Sequence, residues 1–219
     1  NFTLQVISSR KKGLSAARNA GIAASTGEII VFLDDDAVPE PGWLRALTDP
    51  FLDPAVMVTG GPVKPRYAGR PLPDNLAWMV GCTVTRRLPV RPIGCNMAFR
   101  REVFQVIGLF DDGYGRIRNN QAAGEETLLL LRIMRDFPHS RIMMVPTAEV
   151  THYIPAYRTR LPFLIRRAWQ EGLSKGRISR SLPVTTEKVY LWEYLKYPRP
   201  LSLLVLAVTG LGFLRGRFI

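Results

Sequence analysis

A run of apolar, β-favouring residues at 29–33 ends directly in three carboxylates, Asp34, Asp35 and Asp36. Because the run has no polar break, it predicts a strand that is buried on both faces, as in a sheet covered by helices. Ligands of open α/β sheets collect at the carboxyl ends of strands, so these acids lie where a divalent cation and a phosphate could meet. Side chains alternate along a strand, so Asp34 and Asp36 can converge while Asp35 points elsewhere. A solvated turn is the alternative, since Asp is common at strand ends.

Strand-like and helix-like patterns alternate through most of the chain. Other apolar segments typical of strands occur at 4–7, 56–59, 97–100, 142–145 and 149–152. Segments that predict helices occur at 16–25, 43–51, 101–107 and 125–134. We expect Ser15 to cap the first helix and Gly27 to stop it, whereas residues 64–93, rich in Pro, Arg and Gly, predict a long loop or irregular lid. The alternation predicts an α/β fold in which a mostly parallel sheet is flanked by helices.

The pattern changes towards the C-terminal end. Residues 161–172 predict a basic, aromatic helix, and residues 201–214 form an apolar segment. A helix needs about 18 to 20 apolar residues to cross a bilayer, so this segment is too short to span one alone. Aromatic and basic residues at 192–199 are typical of a membrane interface, which favours membrane association over a simple core helix. We therefore separate residues 1–155 from a basic helical extension, residues 156–219.

Charge narrows the range of partners. The 219 residues include 30 Lys and Arg against 18 Asp and Glu, for a formal net charge of +12. Such an excess indicates an anionic partner, namely nucleic acid, anionic lipid headgroups or a phosphorylated substrate. The chain shows no recognisable basic and aromatic nucleic-acid module, which argues against the first of these. Two cysteines, Cys82 and Cys95, lack the spacing of a zinc or redox site and are expected to be reduced, with a single disulfide as the alternative.

An ordered series of motifs resembles the family 2 glycosyltransferases of GT-A fold. The motifs are GLSAARNAG at 13–21, GE at 27–28 with DDD at 34–36, GCNMAFRR at 94–101, GLFD at 108–111, GEE at 124–126 with Arg132, and residues 146–152. Each motif is weak alone, but their order is specific. Members of that family begin with two strands that grip the nucleotide, and nothing before Asn1 supplies them. We therefore expect residues 1–155 to be a partial catalytic domain and the chain to be an N-terminally truncated fragment.

The resemblance implies a donor site at the acidic triplet. Asp36 corresponds to the ligand of Mg²⁺ or Mn²⁺, with Asp34 and His152 completing the coordination. A divalent cation stabilises the charge that the leaving nucleoside diphosphate gains. Arg18, Asp34 and Asp35 correspond to contacts with the nucleotide-sugar donor.

The resemblance also implies an acceptor site. Glu126 corresponds to the general base that removes the proton of the acceptor hydroxyl, although the family usually has Asp at this position. Both members of the Glu125 and Glu126 pair also fit the first turn of a helix, whose dipole favours negative charge. Asn96, Glu125 and Trp169 correspond to the acceptor side of the cleft.

These features lead to one functional hypothesis and two alternatives. The hypothesis is an inverting, metal-dependent hexosyltransferase that moves a sugar from a nucleotide-diphosphate donor, with UDP favoured, to a hydroxyl of a glycan or lipid-linked acceptor. We expect it at the cytoplasmic face of the membrane, in cell-envelope polysaccharide synthesis, held peripherally or through its C-terminal segment. A catalytically inactive, membrane-associated scaffold related to glycosyltransferases is the first alternative. A basic nucleic-acid-binding protein is the second.

Overall fold

A computed structural model describes residues 3–83, 91–114, 124–182 and 199–219. Within these residues the strands are β1 (Ile29–Phe32), β2 (Ala37–Pro39), β3 (Val56–Gly60), β4 (Val63–Tyr67), β5 (Met97–Arg100), β6 (Arg141–Met144) and β7 (Val150–Ile154). The helices are α1 (Leu14–Ala24), α2 (Trp43–Thr48), α3 (Arg101–Val106), α4 (Glu125–Asp136), α5 (Leu161–Ile178) and α6 (Pro200–Phe218). Short 3-10 helices occupy Asp49–Leu52, Asp74–Val80 and Ala156–Thr159.

The strands form two sheets with mixed strand directions. One sheet has the order β1-β5-β3-β6, in which β5 is antiparallel to both neighbours and β3 is parallel to β6. The other has the order β2-β7-β4, in which β7 is antiparallel to β2 and parallel to β4. The predicted α/β class is confirmed. The described strands pair in mixed rather than mostly parallel fashion, because the long connection before β5 returns that strand between β1 and β3 in the opposite direction.

Three local predictions differ from the structure. Residues 4–7 form no strand, because no described strand lies beside them to satisfy their backbone groups, and Leu4 and Val6 are 82% and 90% exposed. Ser15 does not cap α1, which begins one residue earlier, and its Oγ instead donates to the carbonyl of Tyr114 at 2.8 Å. The stretch 64–93 is not a loop throughout, since it contains most of β4 and a 3-10 helix.

The C-terminal ends of two helices also differ from the predicted ones. α1 ends at Ala24, one residue before the predicted end at 25, and the backbone N–H of Ser25 closes its last turn on the carbonyl of Gly21. The helix predicted at 161–172 continues to Ile178. The aromatic and basic positions at 192–197 that suggested a membrane interface lie outside the described residues.

An aromatic cluster joins the four-stranded sheet to the helices that carry the candidate site. Phe32, Phe99, Phe104 and Phe110 pack edge-to-face or tilted, with ring centroids 5.3–6.4 Å apart. Asn19 on α1 holds this cluster through both of its amide atoms. Its Nδ2 donates to the carbonyl of Phe110 at 2.8 Å, and its Oδ1 accepts from the N–H of Phe110 at 3.0 Å. α1 is therefore fixed against the sheet at its middle turn.

α5 and α6 pack with their backbones in contact. Gly172 and Gly176 on α5 face Gly212 and Gly216 on α6, and each pair has the four-residue spacing that lets helices approach closely. A Cβ built on Gly172 would lie 2.0 Å from the carbonyl oxygen of Thr209. The same helices contribute to the buried cluster that covers β4 and β7, with Leu164 and Ala168 from α5 and Val205 from α6. The division of the chain near residue 155 stays a prediction.

α6 is longer than the sequence pattern suggested. It begins at Pro200 and extends through the basic residues to Phe218, a length of 19 residues. Its most apolar stretch has a mean hydropathy of 1.5, and 22% of that stretch is buried. Among the described residues it is the one helix that is long and apolar enough to cross a membrane, by length and composition. The expectation that residues 201–214 are too short to span is therefore corrected, because the flanking turns continue the helix.

Replacing Gly216 by Ala is expected to destabilise the protein, because the new Cβ would lie 2.2 Å from the backbone oxygen of Leu173. Overpacking of this kind costs about 1–3 kcal/mol. Gly210→Ala is the matched control on the same helix, where nothing lies within 4 Å of the added Cβ. It should be neutral or slightly stabilising, since Ala is the better helix former by up to about 1 kcal/mol. Urea unfolding of both variants measures the difference, and equal stabilities would contradict the close packing.

Candidate active site

The pairing of β2 with β7 brings Asp36 and His152 together. Ala37 lies opposite His152 in the antiparallel register, and the N–H of Tyr153 donates to the carbonyl of Asp36 at 2.8 Å. The side chains then meet, with Nε2 of His152 3.0 Å from Oδ1 of Asp36. His152 is 4% exposed. A buried imidazole and a partly exposed carboxylate that are distant in sequence therefore meet just before β2.

The guanidinium of Arg158 lies near the other oxygen of Asp36. Nη1 of Arg158 is 3.5 Å from Oδ2 of Asp36, and its guanidinium lies 6.0 Å from the ring centre of Tyr157. In the sequence, Arg158 is one of several basic residues in the stretch 158–180. Its role could not be separated from that of its neighbours, because the contact depends on the 3-10 helix Ala156–Thr159 that follows β7.

Arg18 joins the acidic triplet to the glutamate pair. Its Nη1 lies 3.2 Å from Oε1 of Glu125 and 3.1 Å from Oε1 of Glu126, and its Nη2 lies 3.8 Å from Oδ1 of Asp34. The guanidinium also lies 5.5 Å from the ring centre of Phe110. Burial opposes the charge of Arg18, but the surrounding carboxylates outweigh it and raise the pKa of the guanidinium above its usual value.

The two glutamates at the start of α4 lie in different environments. The Glu125 side chain is 4% exposed, whereas that of Glu126 is 25% exposed. Burial and the neighbouring charge of Glu126 raise the pKa of Glu125 to about 7, and Arg18 opposes this shift. Oε2 of Glu125 accepts no hydrogen bond within the described part of the chain. Burial likewise raises the pKa of Asp34, again against the influence of Arg18.

Gly94 leaves the space in which Arg18 and Glu126 meet. A Cβ built on Gly94 would lie 2.1 Å from Nη2 of Arg18 and 2.2 Å from Oε1 of Glu126. The backbone of the turn before β5 therefore lies where any larger residue would displace the ends of both side chains. This gives a physical reason for glycine at the start of the motif at 94–101.

Asn96 has a structural position rather than the predicted acceptor contact. It is fully buried, and its Oδ1 accepts from Nε1 of Trp43 at 2.8 Å. Its Nδ2 donates to the carbonyls of Ala148 at 2.7 Å and Pro62 at 3.1 Å. All its polar atoms are used inside the core, so this side chain cannot face an acceptor.

The remaining predicted positions are less defined. Asp35 is exposed, as expected if successive strand residues point in opposite directions. Trp169 lies on α5 and is 37% exposed. Glu125 is buried behind Glu126, so direct contact with an acceptor would require the cleft to open. The donor role of Asp35 and the acceptor roles of Trp169 and Glu125 stay predictions.

The residues near Asp36 fit a divalent cation whose coordination is completed by the substrate. Within the described ranges, no cluster of three or more His, Cys, Asp or Glu side chains is preassembled as a metal site. Asp36 and His152 form a two-ligand pair, while Asp34 faces Arg18. Carboxylates suit both Mn²⁺ and Mg²⁺, and Mg²⁺ is commonly held by one or two carboxylates together with substrate phosphates. Asp36 and His152 are therefore the residues that could hold the cation.

Comparison with known proteins identifies the family. Residues 2–108 match the sequence profile described as Glycosyl transferase family 2. The chain belongs to this family. It is 31% identical over 173 residues to the glucosyl-dolichyl phosphate glucuronosyltransferase of Haloferax volcanii, covering 75% of this chain and 55% of the relative. It is 26% identical over 184 residues to the succinoglycan biosynthesis protein ExoM of Rhizobium meliloti, covering 81% of this chain and 56% of the relative.

A solved structure of a glycosyltransferase supports the predicted fold. The mannosyltransferase PcManGT from Pyrobaculum calidifontis, in complex with GDP-Man and Mn²⁺, superposes with a TM-score of 0.53 at 22% identity. The match covers 90% of this chain and 54% of the mannosyltransferase. The GT-A type of fold is thereby confirmed. The chain spans about half the length of the curated relatives it matches.

Glu125→Gln is expected to stabilise the protein at pH 8, by on the order of 2–3 kcal/mol, and to have little effect at pH 4. The raised pKa means that the folded protein retains a proton that the unfolded chain releases. This contribution to wild-type stability is complete below the ordinary value of 4.5 and is lost as the pH rises to about 7. Gln is neutral throughout, so the variant should lack this slope.

Urea unfolding across this pH range checks the effect of Glu125. Glu102→Gln is the matched control, since Glu102 is exposed in the first turn of α3 and should leave the wild-type slope unchanged. A Glu125→Gln variant with the same slope as wild type would show that Glu125 is ionised at neutral pH in the folded protein.

Proposed function

We propose that this family 2 chain is the catalytic part of an inverting, metal-dependent hexosyltransferase. Its donor is a nucleotide-diphosphate sugar, with UDP favoured, and its acceptor is a hydroxyl of a glycan or lipid-linked molecule. The observation that carries this proposal is the Arg18 cluster, in which Asp34 of the donor motif and Glu126 of the base motif contact the same guanidinium. Donor and acceptor chemistry therefore meet in one cleft.

The donor half of the site consists of Asp36, His152 and Arg158. Asp36 and His152 would hold Mg²⁺ or Mn²⁺, which when bound neutralises the charge that develops on the departing diphosphate. Arg158 provides a fixed positive charge beside the same carboxylate. The complex of the mannosyltransferase relative contains GDP-Man and Mn²⁺, which supports a nucleotide-sugar donor and a divalent cation.

The acceptor half of the site depends on Glu126. An acceptor hydroxyl is a weak nucleophile until its proton is removed during attack, and a carboxylate within hydrogen-bond reach provides this assistance. Glu126 is the more exposed of the glutamate pair, so it is the one that a hydroxyl can reach. In a single displacement the hydroxyl oxygen bonds to the sugar carbon, the bond to the nucleoside diphosphate breaks, and Glu126 takes the proton. One displacement inverts the configuration.

The extra methylene of Glu126, relative to the usual Asp, is accommodated by Arg18. The 3.1 Å contact between Nη1 of Arg18 and Oε1 of Glu126 fixes one oxygen of the longer side chain. The other oxygen is then oriented by the same contact. This restriction supports an active base over the alternative of an inactive scaffold.

A membrane surface is the proposed location of the acceptor. The face of α6 opposite Gly212 and Gly216 is apolar and exposed, and its large apolar residues are Leu203, Leu204, Leu211, Leu214 and Phe218. Arg199 precedes the helix, and Arg215 and Arg217 lie in its last turn, as suits a helix at an anionic interface. The Haloferax relative is named for glucosyl-dolichyl phosphate, which supports a lipid-linked acceptor, and we place this acceptor at the cytoplasmic face.

In the full-length protein, Glu126→Gln and Asp36→Ala are each expected to reduce sugar transfer by about 10²–10⁴-fold, because one removes the base and the other a cation ligand. Release of nucleoside diphosphate from candidate sugar donors in Mn²⁺ measures the rate. Asp49→Asn is a control at a carboxylate whose side chain is 60% exposed and should retain wild-type activity. Full activity in both site variants would overturn the mechanism, and absence of turnover in the wild type would favour the scaffold.

Replacing Leu211 and Leu214 by Glu is expected to weaken membrane binding by about tenfold or more, since buried charge is strongly unfavourable in an acyl environment. Flotation with vesicles that contain anionic lipid measures the bound fraction. Leu52→Glu changes an 89% exposed leucine in a 3-10 helix and should bind as wild type does. Equal flotation of all three proteins would exclude this face of α6 as the membrane contact.

A further inference from the structure

A buried thiol lies directly behind the proposed cation ligand His152. Sγ of Cys82 is 3.7 Å from Nδ1 of His152, on the side of the ring opposite to Nε2. Cys82 is 0% exposed and His152 is 4% exposed. Nε2 meets Oδ1 of Asp36 at 3.0 Å. The imidazole is therefore contacted through both of its nitrogens, and its orientation is defined by one thiol and one carboxylate.

The backbone around Cys82 is anchored on both sides. Its own N–H donates to the carbonyl of Ala77 at 3.1 Å, and the N–H of Thr83 donates to the carbonyl of Val63 at 3.0 Å. Gly81 turns the chain with a positive φ of 77° and lies against the ring, since a Cβ there would be 3.5 Å from Cε1 of His152. The backbone that carries the thiol is thus hydrogen-bonded to the 3-10 helix on one side and to β4 on the other.

A thiol has the hydrogen-bonding capacity that this position requires. The carboxylate of Asp36 only accepts, so when Nε2 of the ring donates to it without the cation, Nδ1 of the same tautomer is the nitrogen that accepts from the thiol. A cation needs the lone pair of Nε2, which moves the ring hydrogen to Nδ1, and the sulfur must then accept.

We propose that Cys82 is the positioning residue of His152, holding Nε2 towards Asp36 by donating to Nδ1 without the cation and accepting from Nδ1 with it. This proposal rests on the cation-binding role proposed above for Asp36 and His152. A backbone carbonyl, the usual partner of a metal-binding histidine, could only accept. The thiol accommodates both ring tautomers without movement of the backbone.

The first test is the affinity for Mn²⁺ alone, measured by electron paramagnetic resonance on the full-length protein. Cys82→Ala should weaken binding by about tenfold, as loss of a partner behind a metal ligand commonly does. Cys82→Ser should retain most of the affinity, because a hydroxyl also donates and accepts. Cys95→Ala is the matched control, since Cys95 is a second free cysteine, 2% exposed in the same buried cluster.

The variants also separate failure of this proposal from failure of the proposed cation site. His152→Ala and Asp36→Ala should each lose binding. If they bind as wild type does, or if the wild type binds no Mn²⁺, the cation site is overturned and the proposal with it. If they lose binding while Cys82→Ala retains it, only the positioning role of Cys82 is overturned. Thermal unfolding of each variant confirms that the proteins compared are folded.

The second test reads the hydrogen bond directly in the cation-free protein. The chain has two histidines, and His139 is exposed, so ¹⁵N-histidine labelling gives one signal set for His152 and one reference. At pH 8 the His152 ring should carry its hydrogen on Nε2, and the Nδ1 resonance should shift in Cys82→Ala but not in Cys95→Ala. A hydrogen on Nδ1 in the cation-free protein, or an Nδ1 resonance unchanged by Cys82→Ala, would overturn the proposal.

Discussion

The buried guanidinium of Arg18 is the interaction on which the candidate site depends. It lies where the end of β1, the first helix and the start of α4 meet, and it contacts one carboxylate from β1 and two from α4. A buried charge without partners costs several kcal/mol, so the buried guanidinium of Arg18 depends on the carboxylates around it. These groups therefore stabilise one another only in this arrangement. The arrangement further requires a glycine at position 94 and the aromatic cluster that Asn19 links to α1.

The same interaction gives neighbouring acids different properties. Glu125 is buried and its pKa is raised, whereas Glu126 shares the guanidinium but is more exposed. The acidic triplet divides in a similar way, since Asp34 faces Arg18, Asp35 faces solvent and Asp36 faces His152. Identical or adjacent side chains can therefore serve a positioning role, a base role and a ligand role without interference, because burial and partner differ at each position.

The pattern of apolar and polar residues predicted the elements that depend only on neighbouring residues in the chain. The strand at the apolar run, the helix at the glutamate pair and the family that the motifs resemble are all confirmed. The pattern could not show that Asn96 is a core residue, because its partners Trp43 and Ala148 are distant in sequence and an exposed Asn would have the same neighbours along the chain. Arg158 and Cys82 were likewise undetectable as site residues, since they reach Asp36 and His152 only through the pairing of β7 with β2 and β4.

The glycine contacts between α5 and α6 restrict how the C-terminal helix can present its surface. A helix packed through long side chains can rotate by repacking them, but backbones in contact at Gly172, Gly176, Gly212 and Gly216 allow no such rotation. The apolar face of α6 must then point away from α5, and α5 is itself packed on the cluster that covers β7. Because β7 carries His152, the orientation of this exposed face is coupled to the cation side of the cleft through rigid elements. A membrane bound at α6 would therefore meet the cleft at a fixed angle, which is what transfer to a lipid-linked acceptor requires.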